Sequence, residues 1–371
     1  MKLSCKQEDL SKGLGVVGRA VATRTTLPIT NNVLLATDQG RLKLVATNLE
    51  IAVSHWIDAK VDSEGSITVP ARLLIEFVNS LPNEDVSINI APRTKTLGLK
   101  CARFEARISG IDAKDFPPIP KVSDGIATGV ELTAFRRAIS QVVFAAATEE
   151  SRPVLTGVNA QFEGSLLTLA AADGFRLAVY TLPLLTPVSQ KAEVIIPART
   201  LAELNRLMAD DEEKVQVTVN PNKSQVLFTL KDTELVSQLI QGTFPQYSQL
   251  IPQKFSSRAE VDVAEFLRAT KTASIFARDG SGIVRLVVSE GKMTVSARSE
   301  DVGENTGDVD AKVEGEESKI AFNGKYLIDV LSVLGELRVA LETTSPSSPG
   351  VIRPVGVDNY IHVVMPMFVQ W

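Results

Sequence analysis

Residues 67–78 read ITVPARLLIEFV, and the phrase returns as IIPARTLAEL at 195–204 and IAFNGKYLIDVL at 320–331. Each begins with a short apolar run, reaches Pro70, Pro197 or Asn323, and continues with apolar residues spaced for one face of a helix. Proline beside a first helical turn is inexpensive, because the N–H it lacks would be unpaired there anyway. The reading is a strand that runs directly into an amphipathic helix, three times. From Pro70 to Pro197 is 127 residues and from Pro197 to Asn323 is 126. That spacing suits a whole domain and is too long for a single-layer solenoid repeat.

Other elements recur in step. RLKLVATN at 41–48 matches LLTLAAAD at 166–173 and KMTVSARS at 292–299, each alternating as a half-buried strand should. Upstream of each, an apolar stripe predicts another helix: Leu10, Leu14, Val17 and Val21; then Phe135, Ile139, Val142 and Ala146; then Phe266, Thr270 and Ala273. DFPPIP at 115–120 and TFPQYSQLIP at 243–252 punctuate the first two copies as non-helical connectors. The expected fold class is therefore α+β, three tandem copies of one unit, each with two helices and roughly eight strands. Boundaries fall near 123–128 and 253–258, giving domains 1–125, 126–255 and 256–371. Like units joined end to end leave two unlike ends, and head-to-tail contacts between such ends can close a ring. Two chains, six units, is one closing solution among several.

The 371 residues, 44% hydrophobic with 5% aromatic, can bury aliphatic cores of that number and size. No apolar run approaches the ~20 residues of a membrane span, and the first residues lack a signal-peptide core. Cys5 and Cys101 stand far apart without CxxC spacing, which fits a reducing cytoplasm. A net charge of −5 does not announce a nucleic-acid binder. The signs separate along the chain, however. Lys12, Arg19, Arg136, Arg137, Arg268 and Lys271 lie off the apolar stripes of the first helices, and Arg72, Arg199, Arg206 and Lys325 on the second ones. Acids gather at 210–213, 300–301 and 314–317. Basic helices with an acidic outer skin would reconcile the net charge with DNA; ordinary solvated helix faces would read the same way.

RPVLTGV at 152–158, AADGFRLA at 171–178, VPAR at 69–72 and VMPM at 364–367 together resemble the bacterial DNA polymerase III β-subunit family, over the whole chain and in order. The resemblance implies a non-enzymatic DNA sliding clamp, a head-to-tail homodimeric ring. Its helices would line the hole and its sheets form the rim, with an ATP-driven loader opening it. A partner groove between domains 2 and 3 would take peptides from the polymerase, loader and repair proteins. Its positions here are Leu155, Ala172, Gly174, Phe175, Arg176, Leu177, Pro245, Leu250, Asn323, Tyr326, Pro346, Ser348, Val363, Val364, Met365, Pro366 and Met367. Apolar side chains and flexible methionines suit a groove that adapts to several ligands. DNA contacts carry over to Arg24 and Arg72, with Arg152 on the 148–153 loop, and the dimer seam to Ala106, Ile108, Ile275 and Phe276. The chain departs from familiar relatives in carrying Phe175 where they have His, Ala172 where they have Thr, and a tail running on to Trp371. Trp371 would either lie across the groove or project into solvent. A clamp paralogue serving repair or plasmid replication has the same sequence signature.

Signals for chemistry are weak. Gly13, Gly15 and Gly18 form a formal GxGxxG, but it falls inside the first helix, not at a strand-to-helix turn. His55 and His362 have no ligand-like neighbours at metal spacing, and no phosphate-loop or nucleophile-elbow motif occurs. The expectation is no cofactor, no metal and no catalytic site.

Overall fold

The computed structural model describes residues 1–22, 25–91, 93–209, 212–277, 282–301 and 303–371. The first repeat holds β1 (Lys2–Lys6), α1 (Gln7–Val17), β2 (Asn32–Asp38), β3 (Arg41–Thr47), β4 (Ile51–Ile57), β5 (Lys60–Ser63), β6 (Ser66–Pro70), α2 (Ala71–Asn79), β7 (Asp85–Ala91), β8 (Thr96–Cys101) and β9 (Phe104–Ser109). The second holds β10 (Ile126–Glu131), α3 (Leu132–Val142), β11 (Gly157–Glu163), β12 (Leu166–Ala172), β13 (Arg176–Pro183), β14 (Ala192–Pro197), α4 (Ala198–Leu207), β15 (Lys214–Val219), β16 (Gln225–Thr229) and β17 (Thr233–Gln238). The third holds β18 (Ser257–Asp262), α5 (Val263–Phe276), β19 (Ile283–Ser289), β20 (Lys292–Ser299), β21 (Gly303–Gly315), β22 (Ser318–Asn323), α6 (Gly324–Val333), β23 (Arg338–Thr343), β24 (Gly350–Pro354) and β25 (Tyr360–Val364). The fold is three tandem copies of one α+β unit.

The three quoted phrases are β6–α2, β14–α4 and β22–α6. Pro70 and Asn323 cap their helices from the preceding residue, with Asn323 accepting from the Lys325 N–H at 2.9 Å. This is an N-cap bond that satisfies one otherwise orphaned donor. Two apolar stripes run past their helices. α1 gives way to a 3₁₀ turn at Gly18–Ala20 before Val21, and α3 to one at Val143–Ala145 before Ala146. The tighter turn takes up the last carbonyls as the chain leaves in an extended conformation.

The repeats do not coincide with the compact bodies. One unit comprises residues 1–132 and 203–239, the other 133–202 and 240–371. The reason is in the sheets, all of whose paired strands are antiparallel. In the first unit, β17 of the second repeat pairs with β4 of the first, so one sheet runs β10-β15-β16-β17-β4-β3-β2-β6 beside a smaller β5-β1-β7-β8-β9. In the second unit, β25 of the third repeat pairs with β13 of the second. A twelve-stranded sheet results, β14-β11-β12-β13-β25-β24-β23-β18-β21-β20-β19-β22. Half of the central repeat is thereby drawn into each unit.

In the first unit, Leu10, Leu14 and Val17 of α1 are wholly buried. Gly13 lets that helix lie close on β3 and β4: a methyl there would stand 2.9 Å from the Leu44 Cδ1 and 3.0 Å from the His55 Cδ2. The glycine pattern is thus a packing device at Gly13, whereas nothing lies within 4 Å of a methyl at Gly15. Overpacking costs about 1–3 kcal/mol and glycine in a helix about 1 kcal/mol relative to alanine. Gly13→Ala should therefore lower stability by roughly 1–2 kcal/mol, while Gly15→Ala should raise it by about 0.5–1 kcal/mol. The two urea midpoints, which should move in opposite directions, check this.

Candidate peptide-binding groove

The candidate groove lies within the second unit, where β13 and β25 join the two repeats. Arg176 stands opposite Val364 and Leu177 opposite Val363. Because successive side chains on a strand take opposite faces, Leu177 and Val363 share one face and Arg176 and Val364 the other. On the first face, Leu177, Val363 and Val351 form a buried cluster, and Leu155, Ile195 and Phe244 form another. Ala172 and Tyr247 pack against both, so the two clusters make one apolar floor. Pro245, Leu250, Pro346 and Met365 are exposed, while Ser348, Pro366 and Met367 are half-buried.

Beyond the strand the tail is held by main-chain bonds. The Met365 N–H donates to the Phe175 carbonyl at 2.8 Å and the Met367 N–H to the Ala321 carbonyl at 2.7 Å. Gly174 lies between, with φ +94°, in a turn that Asp173 ties by accepting from the Phe175 and Arg176 N–H groups. Only glycine takes that backbone at low cost, and a side chain there would also meet the Arg152 guanidinium at 3.1 Å.

On the other face, Arg176 is buried and doubly ion-paired, Nε to Asp173 at 3.0 Å and Nη1 to Asp329 at 2.6 Å. Its guanidinium lies over Tyr326 at 4.6 Å and over Phe144 at 5.4 Å. Phe175 stacks on Tyr326 with centroids 6.5 Å apart, and Phe144 packs on His362 at 5.5 Å. Phe175, Tyr326, Arg176, Phe144 and His362 thus form a column from an exposed ring to a fully buried one.

Not every expected position faces the groove. Arg176 and the fully buried Val364 support it from behind, and Asn323 spends its side chain on the α6 cap. Arg152, expected at DNA, is exposed and donates to the Asp173 carbonyl at 3.3 Å. Arg24 lies outside the described residues. Arg72 is almost fully exposed and paired with Glu76 at 2.8 Å. The helix cations are less free than the sequence suggests: Lys12 meets Glu8, and both Arg19 and Arg206 meet Glu203. At the expected seam Ile108 is already buried on β9, Ala106 and Phe276 are half-buried, and Ile275 is exposed. Sequence reading missed Tyr247, Asp329 and Phe144. Tyr247 was findable, since the FPQY of 244–247 aligns with the FPPI of 116–119.

Among the described residues no cluster of three His, Cys, Asp or Glu side chains could hold a metal, and no helix is long and apolar enough to cross a membrane. A threefold α+β repeat whose copies join sheet to sheet, with an apolar groove at the second join, defines a repeat-built binding scaffold. The DNA polymerase III beta subunit N-terminal, central and C-terminal domain models match residues 1–120, 129–246 and 248–368. The chain is 33% identical to the beta sliding clamp of Synechocystis sp. and 32% identical to that of Staphylococcus aureus, covering 99% of both chains in each case. It superposes on the DNA polymerase sliding clamp of Bacillus subtilis with a TM-score of 0.95 at 29% identity and full coverage of both chains. With that of Pseudomonas aeruginosa the values are 0.93 and 28%, again over the full length of both. This chain belongs to the DNA polymerase III beta subunit family.

The column sets a pH dependence. Burial, reinforced by the Arg176 charge, depresses the His362 pKa from its ordinary value to about 3. Above pH 6.5 the ring is neutral in both folded and unfolded chains. Below that the unfolded chain takes up a proton that the folded chain refuses, so stability falls as pH drops from 6.5 toward 3. His362→Phe should flatten that part of the stability profile, as measured by urea unfolding between pH 7 and pH 4.

Proposed function

We propose that this chain is a DNA sliding clamp, a processivity factor that encircles duplex DNA and tethers the replicative polymerase. It carries no reaction of its own and acts in the cytoplasm as a non-catalytic subunit of the DNA polymerase III holoenzyme. The three clamp domains run over 1–125, 126–255 and 256–371, close to where the three family models begin and end.

One observation carries the ring. Inside the chain the same strand-to-strand join is made twice, Ser237 opposite Ile51 and Val364 opposite Arg176. The third pair of equivalent edges, β9 and the first part of β21, has no strand partner among the described residues on its outer side. A second copy supplies the complement: β9 of one chain pairs with β21 of the other, twice over, and two chains close head to tail. Carrying the internal register across places Ile108 opposite Gly303, Arg107 opposite Glu304 and Ala106 opposite Asn305. Opposite charges then face each other across the seam, with Ile275 and Phe276 of α5 as its apolar anchors.

Duplex DNA held inside would meet the helices, and contact would be to phosphate without base readout. Arg24, Arg72 and Arg152 are the proposed contacts. The ion pair between Arg72 and Glu76 is exposed and screened by solvent, so a phosphate can compete for the guanidinium. Retention comes from closure, which leaves the protein free to slide.

Loader-assembled protein should therefore stay on nicked circular DNA at high salt and leave once the circle is linearised. Equal loss from both forms, with loading verified, would remove the ring. Ile275→Asp with Phe276→Asp should give monomers in sedimentation and abolish retention on the circle.

The groove takes linear peptides from the polymerase, the clamp loader and repair proteins. Met365→Ala with Met367→Ala should weaken binding of a polymerase carboxy-terminal peptide at least tenfold, with the dimer intact. Unchanged affinity in a titration would place the peptide elsewhere.

A further inference from the structure

One helix of the third repeat grips the second repeat on the face of the sheet away from the apolar floor. Along α6 and the turn after it, the Gln141 Nε2 donates to the Val333 carbonyl at 3.3 Å, Arg137 pairs with Glu336 at 3.7 Å, and Arg176 pairs with Asp329 at 2.6 Å. The last of these contacts leads into the groove. Asp329 holds the Arg176 guanidinium, whose Nε lies 3.0 Å from the Asp173 Oδ2. The other oxygen of Asp173 ties the turn, accepting from the Phe175 N–H at 2.8 Å and the Arg176 N–H at 3.0 Å. That turn aims the Phe175 carbonyl at the Met365 N–H. Three residues before Asp329, on the same side of α6, Tyr326 stacks on the Phe175 ring.

We propose that Asp329 is a positioning residue of the groove: acting through Arg176, it sets the turn that presents Gly174, Phe175 and the Met365 main chain to a bound peptide, without touching the peptide itself. The inference rests on the groove reading above and names what holds that site in its binding shape. The Arg176 side chain is 8% exposed, so its charge must stay paired. Without the Asp329 carboxylate the guanidinium turns toward water, and Asp173 either follows it or loses it. In both cases the turn at 173–176 loosens. A peptide then has to order that backbone as it binds, and the ordering opposes binding. The floor made by Leu155, Leu177 and Val363 stays in place, because those side chains pack on the other face. The ladder from Arg176–Val364 to Tyr180–Tyr360 still joins the two repeats. Peptide affinity therefore falls while the fold and the dimer persist.

The test uses the full-length dimer and a fluorescently labelled carboxy-terminal peptide of the same organism's replicative polymerase. Asp329→Asn should bind this peptide about five- to tenfold more weakly than the wild type, the low end of typical coupling between linked sites. Arg176→Met should bind about as weakly, and adding Asp329→Asn to it should weaken binding no further, because the two residues act in series. Asp329→Glu, which keeps the charge, should recover most of the affinity. Amide hydrogen exchange in Asp329→Asn should quicken at 173–177 and at Met365 and stay unchanged over β11 and β12. Wild-type affinity in Asp329→Asn overturns the proposal and leaves the groove standing. Losses that multiply in the double variant also overturn it, since Asp329 would then act without Arg176. Faster exchange throughout the second unit does the same, by making the aspartate a general support of the fold. A wild-type protein that does not bind the peptide removes the groove reading and this one together.

Discussion

The second unit is organised around one buried cation. Arg176 sits on a strand of the second repeat, and its carboxylate partner Asp329 lies 153 positions away on a helix of the third. A guanidinium taken out of water must be paired and hydrogen-bonded, or the interior cannot hold it. Here Asp173 and Asp329 neutralise it, and the rings of Tyr326 and Phe144 lie beside it. Breaking such a pair from one side costs about 3–5 kcal/mol, because the remaining charge is left buried. The geometry of the groove follows from this demand. Asp173 can reach Arg176 only by forming the turn at Gly174. That turn presents Phe175 to the surface and aims its carbonyl at the Met365 N–H.

The fold was legible in the sequence to the extent that side-chain periodicity records it. Three strand-to-helix phrases at nearly equal spacing fixed the number of copies, and buried Leu10, Leu14, Phe135 and Phe266 lie where the apolar stripes put them. What periodicity does not record is a main-chain bond between copies. The edges of β4 and β13 look alike in sequence to any other strand edge. Their pairing with β17 and β25, which makes compact units out of one and a half repeats each, left no residue pattern to read.

The groove shows the same division. Its apolar floor, Leu155, Leu177 and Val363, was named through resemblance, and the structure brings these residues to one surface. The partners of polar residues are not written in the sequence. Arg152 turns to the Asp173 carbonyl and Arg176 to Asp329, because a long cationic side chain goes where distant partners satisfy it. Sequence specifies its charge, while the tertiary fold chooses its direction.

A chain that joins its copies edge to edge is left with one unmatched edge at each end of the series. Open edges invite indiscriminate pairing, and proteins commonly blunt them with charge. On β21 the exposed residues Glu304, Asp308 and Asp310 make one edge acidic. The exposed Arg103 and Arg107 give the β9 end the opposite sign. Two like edges repel, and two unlike edges attract in one register. In the ring proposed above, the charges that keep the open edges from pairing at random would also favour the unlike edge of a second copy over a like one.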